Sequence, residues 1–147
     1  MIHKVTGTLI LLVSFCSSVP APAAAQEKDK TVQKAPIAQT SPASGKEMFK
    51  TYCAACHGPA AKGNGPAAVD LKTTPPDLTT LAKRHEGKFP ADYVTNVLRN
   101  GAKAPAHGSS EMPVWGPLFA SVSGRDPAIV NMRIANLVRY LESVQAK

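Results

Sequence analysis

The residues with the most specific chemistry are Cys53-Ala54-Ala55-Cys56-His57. Two thiols at this spacing can form a redox pair, supply half of a zinc site, or add to the two vinyl groups of one haem. The adjacent histidine points to the third, because its imidazole then lies beneath the ring within reach of the iron. A redox pair of the thioredoxin type should follow a strand, and a zinc site needs further ligands. The chain has no second cysteine pair; its third cysteine, Cys16, stands far upstream. The motif therefore predicts one haem c, covalent through Cys53 and Cys56, with His57 on the iron.

A ligating histidine needs an acceptor for its other ring nitrogen. The loop after the motif can provide one in the carbonyl of Pro66. The iron then takes a sixth ligand or stays open. Met48, Met112, Met132, His85 and His107 are the candidates. Met48 falls in the packing stripe of a helix and Met132 on the last helix. Met112 lies in a loop, Ser110-Glu111-Met112-Pro113-Val114-Trp115-Gly116, that Pro113 stiffens. It is the expected ligand, with His107 and His85 as rivals that would give a bis-imidazole site of lower potential. Trp115 is expected to wall the haem pocket, its indole N–H in reach of a propionate.

The elements that position these groups read as helices. Ser44-Gly45-Lys46-Glu47 has the form of a capping box, and Met48, Phe49 and Tyr52 follow at helical spacing, so a first helix ends at the cysteine pair. Residues 58–80 are loop, rich in Gly and Pro. A second helix runs from Pro90 or Ala91 to Asn100, stopped by Gly101, with Tyr93, Val94, Val97 and Leu98 as its apolar stripe. Residues 101–124 read as irregular. A last helix starts at Asp126-Pro127 and carries Ile129, Val130, Ile134, Leu137, Val138, Leu141 and Val144 on one face. With no strand pattern, the fold class is all-α, with long loops around one covalent haem. Aromatics make up only 5% of the chain, so a haem would supply bulk that the side chains lack.

Upstream, residues 1–25 have the form of a signal peptide: a short polar start, the apolar run from Leu9 to Phe15, and Ala23-Ala24-Ala25 before the cut. The apolar run is too short to span a bilayer. Cys16 would be an alternative lipid anchor, although bulky Phe15 stands where a small residue is expected. Residues 26–43, rich in Ala, Pro and Lys, read as a flexible linker, and 44–147 as the domain. The chain carries a formal net charge of +7, and removal of residues 1–25 takes away one lysine and no acid. A basic surface suits an acidic protein partner.

With these residues in place the chain resembles the class I c-type cytochromes, in particular the bacterial single-haem ones, over residues 44–144. Gly45 and Phe49 match the glycine and aromatic of the family's first helix, and Leu137 and Tyr140 match the pair on its last. The resemblance implies that these helices cross closely at the glycine. It also implies that Pro66 supplies the carbonyl behind the axial histidine, and that Met112 is the methionine ligand. The 54 residues between His57 and Met112 exceed those of the shorter bacterial members, the extra length falling in 81–101.

The expected function is one-electron transfer by a non-enzymatic carrier in a periplasmic respiratory or dehydrogenase-linked chain. It would be exported or membrane-associated through its N-terminus, and a monomer outside any complex. Its partners would be redox proteins, with no nucleic acid involved. The alternatives are a fixed electron-entry subunit of a membrane oxidoreductase, an open-site haem enzyme or gas sensor, and an exported module whose two cysteines form a disulfide.

Overall fold

The computed structural model describes residues 36–101 and 112–147. The signal peptide 1–25, Cys16, residues 26–35 of the linker and His107 lie outside the described residues. Within them the chain is helical, without a strand, and no helix is long and apolar enough to cross a membrane.

The first helical run, α1, changes pitch twice. It begins as α-helix over Gly45–Met48, widens to a π-turn over Phe49–Cys53, and closes as α-helix over Ala54–His57. Ser44 caps it by accepting from the Glu47 amide at 3.2 Å. Only half of the expected capping box forms, because the Glu47 carboxylate accepts from Ser41 N instead, at 3.4 Å. The π-turn adds a residue between the buried Phe49 and the end of the motif, and Ala54 N–H donates to Phe49 O across it.

Two 3-10 turns, Pro66–Asp70 and Leu78–Thr80, and a single α-turn, α2 (Leu81–Arg84), structure the long connection. Helix α3 (Ala91–Asn100) ends, as expected, at Gly101, where φ is +82°. Helix α4 (Trp115–Ser121) forms in the stretch read as irregular. Pro117 conceals it in the sequence, yet a proline in the first turn removes only an amide that has no intrahelical partner there. Its Trp115 and Phe119 rings stack at 5.6 Å and turn inward. Helix α5 (Pro127–Ser143) starts as expected, with the Asp126 carboxylate accepting from Ala128 N at 2.8 Å.

The core lies between α1 and α5. Met48, Phe49, Ile134 and Leu137 are almost wholly removed from water, each contributing on the order of 1.5–3 kcal/mol. Phe49 and Tyr140 meet at 5.3 Å between ring centroids. The helices approach so closely at Gly45 that a β-carbon there would overlap the Asn136 carbonyl oxygen and stand 2.8 Å from Tyr140 Cβ. The crossing implied by the family resemblance is therefore present.

The anchored part of the chain begins ahead of Ser44. Thr40 is buried, and Asn136 Nδ2 donates to Pro42 O at 2.9 Å. The last residues of the stretch read as flexible linker are thus pinned to the domain. At the other end Gln145 accepts from Ala82 N and donates to Leu78 O, fastening the C-terminus to the connection before α2.

Gly45→Ala should lower stability by about 1–3 kcal/mol, the usual cost of overpacking a closed contact. Denaturant unfolding of the mature protein would check this, and Gly45→Val should cost more. An alanine variant as stable as wild type would mean that the two helices can separate freely.

Candidate functional site

The helices and the connection between them surround a cleft of about 730 Å3, within the range of cofactor sites. Its wall is mainly aliphatic and aromatic, with Leu71, Leu78, Leu81, Val94, Val97, Leu98, Leu137 and Leu141 contributing. All four residues of the α3 stripe, Tyr93, Val94, Val97 and Leu98, face it.

Cys53, Cys56 and His57 enter from the end of α1, and Met112, Pro113 and Trp115 from the segment leading into α4. Cys53 is buried and Cys56 half-buried, and no disulfide joins them. Burial first, and then the neighbouring Cys56, push the Cys53 thiol up to about 12. Trp115 packs against Tyr52 at 5.4 Å and is buried, as expected of a pocket wall. Among the described residues no three His, Cys, Asp or Glu side chains cluster in the manner of a metal site built from such ligands.

The carbonyl behind His57 belongs to a different proline from the one expected. His57 Nδ1 lies 3.4 Å from Pro76 O, whereas Pro66 is exposed, opens a 3-10 turn and is not part of the cleft wall. The reason lies in how the loop seals the motif. Gly63 N donates to His57 O at 2.8 Å and Gly65 N to Cys56 O at 3.0 Å. These bonds satisfy the last carbonyls of α1 and place Pro66 beyond its end. The chain returns at Pro75-Pro76, so close to Gly63 that a β-carbon on that glycine would meet Pro75 O. With Nδ1–H donated to Pro76, His57 keeps its other ring nitrogen as a lone-pair donor.

Of the candidate sixth ligands, Met112 and His85 line the cleft. Met112 packs partly buried against the core, and His85 is exposed, its ring 6.1 Å from that of Tyr93. Met48 is fully buried in the core and Met132 is 45% exposed; neither is part of the cleft wall. Tyr52 and Arg84 are among the lining residues that the sequence does not point to: Tyr52 reads there only as part of a helical stripe, and Arg84, whose Nη2 donates to Asp77 O at 2.7 Å, carries no role. Nothing in the local sequence separates Arg84 from its neighbours; the turn that brings it to the cleft is set by Asp77, which caps Thr79 at 2.8 Å.

Burial disfavours the charged form of His57 and holds its pKa below the ordinary 6.5, against a weaker opposite pull from Pro76. The same preference for the neutral ring leaves its free nitrogen suited to a metal, which binds only the deprotonated imidazole. Asp77 is held below its usual 3.8, foremost by the Thr79 hydroxyl.

The donor set fits a covalently held haem: two thiols beside an imidazole on one wall, and a thioether on the same apolar cleft. Searches of curated proteins and of solved structures each found no match. The family model described as Cytochrome c matches residues 42–145. The chain belongs to the cytochrome c family, which implies haem c as its cofactor and a haem-based role in electron transfer.

Proposed function

We propose that this protein is an exported one-electron carrier with His57 and Met112 as the axial ligands of a single haem c. The observation that carries this is that Cys53, Cys56, His57 and Met112 line one cleft. Haem, when bound, supplies reversible one-electron chemistry at iron. Cys53 and Cys56 hold it by thioether bonds, which prevent its loss outside the cell membrane. The Pro76 carbonyl fixes the ring of His57 and raises its basicity. A thioether from Met112 on the iron would favour the ferrous state relative to a second imidazole. With both axial positions filled by protein groups, no position is left for a substrate, which favours transfer over catalysis.

Arg84 supplies a cation at the cleft wall, where the acidic substituents of haem need one. Met112 is preferred to His85 because a thioether suits a partly buried position among apolar neighbours, whereas His85 stands in water. The segment 1–25 as an export signal is consistent with a periplasmic redox chain.

The far-red charge-transfer band of ferric methionine-ligated haem tests the assignment. It should be present in the wild type, absent in Met112→Ala and retained in His85→Ala. The mutant lacking Met112 should also bind carbon monoxide in the ferrous form rapidly at neutral pH, which the wild type should not. A band that survives Met112→Ala would remove this ligand assignment. Rapid, complete carbon monoxide binding by the wild type would point to an open-site enzyme or sensor.

A further inference from the structure

Arg133, on the inner face of α5, is 3% exposed. Its guanidinium makes three hydrogen bonds, each at 2.9 Å: Nε to Ser123 Oγ, Nη1 to Thr40 Oγ1, and Nη2 to Thr40 O. All three acceptors are neutral oxygens, so among the described residues no carboxylate is bonded to this buried charge. A guanidinium only donates. The Tyr52 hydroxyl has one hydrogen and gives it to Ala38 O at 2.6 Å, so the Thr40 hydroxyl, which accepts from Nη1, donates to Tyr52 across 2.9 Å. The relay is directed one way, from the buried cation to a side chain that forms part of the cleft wall.

We propose that Arg133 is the internal charge that tunes the redox equilibrium of the cofactor in this cleft, acting through Thr40 and Tyr52 to favour the reduced state. The inference rests on the electron-carrier reading. Reduction lowers the positive charge on the iron by one, and a cation in a low-dielectric interior favours the state of lower positive charge. Solvent and salt screen a buried charge far less than a surface lysine. The relay orients two hydroxyl dipoles in the same sense, the second on Tyr52, whose side chain forms part of the cleft wall.

The experiment is a spectroelectrochemical titration of the mature haem protein at low and high salt, with Arg133→Gln and Arg133→Lys beside the wild type. Both variants lose the guanidinium fork, but only glutamine loses the charge. Arg133→Gln should shift the ferric-to-ferrous ratio at fixed potential about tenfold toward ferric, a midpoint lower by about 59 mV for a one-electron couple. Arg133→Lys should stay near the wild type, and the difference should persist at high salt. Arg133→Met, a second neutral replacement, must move the midpoint in the same direction. Equal shifts in the glutamine and lysine variants would assign the effect to the geometry of residues 38–42, and no shift in either neutral variant would leave Arg133 a structural residue. Both results overturn the proposal. Failure of the underlying reading is seen separately, as the absence of a reversible couple in the wild type.

Discussion

The contact on which the structure depends is between two backbones. Gly45 lies against the Asn136 carbonyl with no room for a side chain. This approach brings Phe49 onto Tyr140 and buries Met48 and Leu137 completely. It also fixes where the two cleft walls stand. Leu137 and Leu141 face the cleft from α5, and Cys53 enters it from the last position of the π-turn in α1. A shift at the crossing would move the thiols relative to the opposite wall, so a packing constraint far from the chemistry sets the geometry of attachment.

The loop after the motif solves a second problem. The last carbonyls of a helix have no partner within it. Here the amides of Gly58, Gly63 and Gly65 satisfy those of Ala54, His57 and Cys56. Gly63 takes a left-handed φ of +80°, and Gly65 sits where a β-carbon would strike the Ala55 carbonyl. The glycines therefore let the backbone close over the helix end and return at Pro75-Pro76 to face His57. Sealing the motif and holding its imidazole are one act of folding, in which adjacent parts of the loop have separate tasks.

Periodicity made most of the fold legible. The capping serine, the α3 stripe, Gly101 and Asp126-Pro127 each appear where the sequence places them. These are local signals, since caps and stripes depend on neighbours within a few turns. Helix α4 was missed because Gly116 and Pro117 read as turn residues, although a proline in a first turn is harmless. The choice of Pro76 over Pro66 is not local at all. It depends on how far the chain travels before it comes back, and two prolines carry the same carbonyl. Tyr52 and Arg84 face the cleft for the same kind of reason: α1 widens at its π-turn and Asp77 tightens the turn before α2. Residue chemistry singled out Cys53, Cys56 and His57, and tertiary closure selected what surrounds them.

Arg133 is hard to explain by stability alone. Burying a charge carries a desolvation penalty, and replacing buried charged groups by apolar ones of similar volume is often neutral or stabilising. Fastening residues 38–42 does not need a cation either. Asn136 holds Pro42 O with a neutral amide, and Tyr52 holds Ala38 O with a hydroxyl. A neutral side chain at position 133 could bond the same Thr40 atoms at lower cost. What a neutral residue cannot supply is a field. In a domain whose cleft is lined mainly by aliphatic groups, a fixed buried cation is felt over a longer range than it would be in water.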